Sequence, residues 1–185
     1  MKNIAAFIMF FMLFLLQYSL SNASEKSFQS LGASLSSYSG SGLSYRYHFN
    51  DRWGIQLSGG AVIDNNNKNV ATGLEVQSDL TSLPDKRLYL IFSAGWYVDT
   101  ESVFKKGGDS VNVNYIQAHE DISYFKLAVG FGGELAFGNS IVNNLTLGIG
   151  IFPIGVSIKE KHSYYGYDDT SKVNFGASIF THFNF

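Results

Sequence analysis

The sequence predicts an all-β protein: an eight-stranded antiparallel up-and-down transmembrane β-barrel that follows a cleaved signal peptide. Three observations carry that expectation. Apolar and polar residues alternate at period two through eight segments, as they do in strands with two unlike faces. One face of these strands lacks Asp, Glu, Lys and Arg, and a charge facing lipid at mid-bilayer costs about 2–4 kcal/mol. The longer polar connections gather at one end of the strands and the short turns at the other, the asymmetry of a membrane barrel.

The first 23 residues read as the signal peptide. Lys2 is a positive n-region, Ile4–Leu16 is an apolar run of 13 residues, and Ser21-Asn22-Ala23 offers small residues for cleavage. A membrane-spanning helix would need about 20 residues. Residues 24–185 then form one barrel domain. The 185-residue chain has no cysteine, which excludes a disulfide framework and a lipidated-cysteine anchor. A net charge of −2 argues against a nucleic-acid partner.

The elements follow in order. The first strand is Phe28–Ser36 and the second Gly42–Phe49. Asn50–Arg52 is a tight turn into the third strand, Trp53–Ile63. A polar loop, Asp64–Asn69, leads to the fourth, Val70–Leu80. Pro84-Asp85 marks the next turn, and the fifth strand is Arg87–Tyr97. Val98–Asp121 is a long polar segment in which Val111–Ile116 suggests an extended hairpin. The sixth strand is Ile122–Phe137, and the seventh runs from about Leu145 to Pro153 or beyond. Lys159–Thr170 is a Tyr-rich loop before the C-terminal strand. An even strand count puts both termini at one end, with Ser37–Ser41, Asp64–Asn69, Val98–Asp121 and Lys159–Thr170 at the other.

Alternation alone does not say which face is outside. A secreted lipocalin-like barrel with an apolar ligand would turn the apolar face inward. Its outer face would then need many charges, yet the polar face here is mostly Gly and Ser with scattered charges of both signs. Small residues and pairable charges suit a narrow interior. Aromatics near strand ends on the apolar face, Tyr45, Tyr47, Trp53 and Phe137 toward one end and Trp96 toward the other, suit two interfacial girdles.

The C-terminal strand is the most specific feature. Phe175, Ala177, Ile179, Phe183 and the terminal Phe185 place apolar residues at alternate positions, with Thr181 a weaker member. This ending, with the pattern of the whole chain after residue 23, resembles the small eight-stranded bacterial outer-membrane proteins of the OmpA-transmembrane-domain and OmpX class. The resemblance implies outer-membrane localisation, lipid and lipopolysaccharide as surroundings, and a monomer. It also implies that Phe175, Ile179, Phe183 and Phe185 form an insertion signal read by the barrel-assembly machinery.

Several roles stay open at this level. Arg46, Glu75, Asp79, Lys126 and Glu134 are expected to pair across a plugged polar lumen; the alternative is a narrow ion-conducting pore. A lipid-modifying enzyme would need a Ser nucleophile, a His base and an acid together, drawn from His48 or His182, Ser44 or Ser178, and Glu75 or Glu134. The His–x–Ser spacing of lipid A deacylases is absent. Val98–Asp121 has five acids against two lysines, and His119-Glu120-Asp121 is a weak divalent-cation candidate. Tyr164, Tyr165 and Tyr167 offer an adaptable contact surface for a ligand at the cell surface. Asn144-Leu145-Thr146 matches a glycosylation sequon but opens a membrane strand. No cofactor motif is present.

Overall fold

A computed structural model describes residues 27–185, apart from 51, 64–66, 84, 108–113, 139–140, 142–143 and 164–165. The signal peptide reading lies outside the described residues. The elements are β1 (Phe28–Ser36), β2 (Gly42–His48), β3 (Trp53–Ile63), β4 (Asn67–Leu83), β5 (Lys86–Gly107), β6 (Asn114–Ala136), β7 (Leu145–Ser163) and β8 (Gly166–Asn184). Each pairs antiparallel with its sequence neighbour, and β8 returns to β1 to close the barrel.

The closing seam takes in the residues at the end of β8. Phe183 stands opposite Leu31 in the β1–β8 register. Beyond the strand, Phe185 still donates its N–H to Gln29 O (2.8 Å) and accepts from Gln29 N–H (2.9 Å). Phe185 thus completes the ladder, so the edge that an open sheet would expose is paired.

Alternation decides what lies inside. Among the described residues, eighteen polar or charged residues are buried against eight hydrophobic ones. The outer surface carries the apolar residues, from Leu43 and Val173 (each 75% exposed) through Phe131, Ile149 and Phe183. The lipocalin-like arrangement, with its apolar face inward, is therefore not the one formed. All five girdle residues lie on the outward face; Tyr45, Trp96 and Phe137 are exposed, and Tyr47 and Trp53 half-buried.

Small inward residues make room for large ones. A side chain at Gly148 would run into the Phe180 ring, and one at Gly132 into Tyr89. Where the lumen is this narrow, ring and glycine must alternate around it. One extra residue in β7 shifts its phase: Phe152 pairs with Gly176, and the next pair is Gly155 with Asn174. The bulge takes in Pro153, which cannot donate to the ladder. Ile151 faces outward before it and Val156 after it.

The strand ends at the short turns lie within three residues of those expected; the turn expected over Thr81–Lys86 is tighter, because β4 runs on to Leu83 and β5 starts at Lys86. Asn50 Oδ1 accepts from the N–H groups of Arg52 and Trp53, both at 2.9 Å, and so builds the β2–β3 turn. At the opposite end the strands run much further than expected. Val98–Asp121 is chiefly strand, with β5 and β6 paired as far as Gly107 and Asn114. Lys159–Thr170 likewise continues β7 and β8, paired as far as Ser163 and Gly166. These hairpins satisfy their own backbone groups, so their polar side chains do not end the strands. The Ser37–Ser41 connection, expected outside, folds into the lumen instead.

A fully paired closed barrel should resist SDS until heated. Gel mobility of the folded protein is expected to shift on boiling; a single band at one mobility in both samples would contradict closure.

Candidate functional site

The lumen is the candidate site, and it is occupied by the chain itself at three levels. Nearest the termini is a charge network. Arg46 donates to Glu134 through Nη1 (2.7 Å) and Nη2 (2.6 Å), and Nη2 also reaches Asn184 Oδ1 (3.2 Å). Arg87 Nη1 donates to Glu134 Oε2 at 3.1 Å. The rest of the Arg87 fork grips Asp79, with Nε to Oδ2 at 2.8 Å and Nη2 to Oδ1 at 2.6 Å. Arg46 and Glu134 are 0% and 1% exposed. Two guanidiniums and two carboxylates therefore neutralise one another in sequence: Arg46, Glu134, Arg87, Asp79. Aromatic faces line the cations. Arg87 lies over Tyr89 and Phe28 at 5.0 and 5.9 Å, and Arg46 over Phe180 at 5.6 Å.

Above this layer the lumen is filled by Tyr89, Ile91, Phe152 and Phe180, all buried. Gln56, Gln77 and Glu75 lie in the same zone. Gln77 Nε2 bridges Gln56 Oε1 and Glu75 Oε2, each at 3.4 Å.

The third level is the β1–β2 connection, folded inward as a plug. Tyr38 is 2% exposed and packs edge-on against Phe152, with ring centroids 5.3 Å apart. Its hydroxyl donates to Asn174 O at 2.8 Å. Side chains at Gly155 or Gly176 would occupy the space of the Tyr38 ring, and one at Gly73 would meet the Ser39 backbone. Gly40 turns the plug at φ 85°, a region that favours glycine. Ser39 Oγ donates to Glu75 Oε1 at 2.5 Å, and Ser36 Oγ accepts from the N–H groups of Tyr38 and Ser39. Tyr97 Oη accepts from Gly40 N–H (2.9 Å) and donates to Ser36 O (2.8 Å). Lys126 Nζ donates to Ser37 O at 3.1 Å while lying 4.0 Å from the Tyr97 ring centroid.

The five charges singled out in the sequence therefore separate. Arg46, Glu134 and Asp79 join one network, and Arg87 is the link between its two carboxylates. Arg87 is the second residue of β5 and faces inward, and that facing was its only sequence signal. Glu75 and Lys126 form no ion pair among the described residues and instead hold the plug.

The hydrolase candidates are only partly assembled. Ser44 Oγ lies 2.6 Å from His182 Nε2. His182 Nδ1 has no hydrogen-bond partner among the described residues, so none of their acids orients the ring. His48 stacks on Phe28, with centroids 4.3 Å apart, and Ser178 Oγ meets neither histidine. Both Ser44 and His182 are buried under the filled lumen. Thr146 of the sequon is buried too and donates to His182 O at 3.3 Å.

Other candidates fall largely outside what is described. Tyr164 and Tyr165 are not among the described residues, nor is the Tyr167 side chain. The side chains of His119 and Glu120 are not described, and no group of three metal-ligating residues occurs among those that are. In the C-terminal strand, Phe175, Ile179, Phe183 and Phe185 all face outward and are exposed.

A closed antiparallel barrel with an apolar exterior and a self-filled polar lumen is the architecture of membrane-spanning barrels. No protein-family model matches the chain, and no curated protein matches it. A crystal structure of a major outer membrane protein from Thermus thermophilus is similar to this chain. It is 14% identical over 87% of this chain and 100% of that one, with a TM-score of 0.40. At that distance nothing about function transfers.

Removing Glu134 should be costly. Glu134→Gln leaves Arg46 without its carboxylate and is expected to destabilise the barrel by about 3–5 kcal/mol in denaturant unfolding. Replacing Arg46 and Glu134 together with Met and Leu should cost less than the single change, because no buried charge is stranded.

Proposed function

We propose that this chain is a non-enzymatic bacterial outer-membrane β-barrel whose lumen is sealed by its own side chains and by the plug. One observation carries the reading: a polar, charge-paired interior is wrapped in an apolar exterior. Soluble monomers rarely expose apolar patches beyond a few hundred Å², whereas lipid requires such a wall. The closed ladder supports the same reading, because an open sheet edge is not tolerated in hydrocarbon. The outward-facing C-terminal strand supports its proposed role as the segment met by the assembly machinery. Closure at three levels favours a structural or surface role over conduction, and the lack of a described acid on His182 favours it over acyl-transfer chemistry.

Lysine substitutions on the exterior test the reading. Phe131→Lys or Ile149→Lys should reduce the folding free energy in lipid vesicles by about 2–4 kcal/mol. On a water-facing wall the same changes should stay within about 0.5 kcal/mol, and that result would remove the membrane assignment. The sealed lumen has its own test. Purified wild-type protein should give no ion-selective steps in planar bilayers, and reproducible steps altered by Lys126→Ala would establish a pore.

A further inference from the structure

We propose that the cavity above the plug is an anion site that takes a small phosphate-bearing ligand. The cavity holds about 460 Å³ and opens at the long-hairpin end of the barrel, within the size range of small-molecule sites. Its wall is built by two adjacent inward rows of the ladder. Lys126, Ser157 and Lys172 stand side by side across β6, β7 and β8, and Tyr124, Lys159 and Thr170 form the next row. Paired strands lie about 4.8 Å apart, so three lysines and three hydroxyl-bearing residues line one small volume.

No carboxylate is among the described residues that line this cavity. The ion pairs found among the described residues all belong to Arg46 and Arg87, at the other end of the lumen. Glu160 follows Lys159 directly in β7 and so takes the alternate facing. Asp168 stands opposite Lys161 in the register. Lys126 rests on the Tyr97 and Tyr124 rings, and Lys159 lies 5.9 Å from the Tyr124 centroid. Rings position these cations without neutralising them. A phosphate brings negative charge to these lysines and has enough acceptor oxygens for several donors at once. The floor of the cavity is the plug, so an anion there adjoins the contact between Lys126 and Ser37 O.

The phosphate could belong to a free ligand or to a lipopolysaccharide head group folded over the rim. The test begins with the folded protein in zwitterionic detergent, titrated calorimetrically with inorganic phosphate and pyrophosphate. Wild type should bind at least one of them saturably. Binding should weaken about tenfold or more in Lys159→Gln/Lys172→Gln, and also when ionic strength rises from about 0.05 to about 0.5 M. The variant must keep the boiling-dependent mobility shift, and Lys159→Arg should retain binding. Absence of saturable binding to wild type, or binding unchanged in the folded variant, would overturn the proposal. Repeating the titration in phosphatidylcholine vesicles with and without lipopolysaccharide separates the sources. Competition by lipopolysaccharide supports a head-group ligand, and undiminished binding supports a free one.

Discussion

Closure of the β1–β8 seam is the constraint on which the rest depends. A closed antiparallel ladder has no edge, so its backbone groups are spent within the wall. It also sorts side chains into two compartments, because successive residues must point to opposite faces. Leu31 and Phe183 at the seam face outward, while Gly32 and His182 beside them face in. A slip of one residue at the seam would exchange the compartments along β8 and carry His182 and Asn184 to the exterior. The hydrogen bonds of Phe185 to Gln29 help to hold that register just past the end of β8.

The interior then has to solve an unusual packing problem. A polar lumen gains little from hydrophobic burial, so charges must be satisfied by one another. Arg87 allows this: its fork reaches Asp79 while one Nη1 reaches Glu134, which already serves Arg46. Arginine suits this task better than lysine because its planar fork can meet two carboxylates at once. The aromatic layer above closes the volume by laying rings over glycines of the neighbouring strand, as Phe180 does with its register partner Gly148. Polar pairing near the termini and ring-on-glycine packing above it are thus two solutions to one requirement, a filled narrow barrel.

The plug links this filled interior to the open end. Ser37–Ser41 is too short to rise far from the barrel, and its groups find better partners inside. Tyr38 enters the space that Gly155 and Gly176 leave, Glu75 and Tyr97 bind the plug backbone and hydroxyls, and Lys126 caps Ser37 O. Lys126 is therefore shared between the plug below and the basic cavity above. The same plug and aromatic layer lie between that cavity and the Ser44–His182 pair.

Strand number, antiparallel order and the division of residues between two faces were legible in the sequence. These follow from period-two alternation and turn residues, which are local signals. Phe28–Ser36 and Trp53–Ile63 have the same bounds in the sequence reading and in the structure. The sequence also placed Arg46, Glu134 and Asp79 on one face, but it could not pair them. Partners such as Arg46 and Glu134 lie 88 residues apart, and only the closed register sets which strand stands across the lumen. The tertiary structure alone decided that Arg87 joins the two carboxylates and that Glu75 and Lys126 serve the plug. It also decided that the first connection turns inward. That choice depends on empty volume above Gly73, Gly155 and Gly176, on strands far apart in the chain, and no local pattern records a volume enclosed by distant strands.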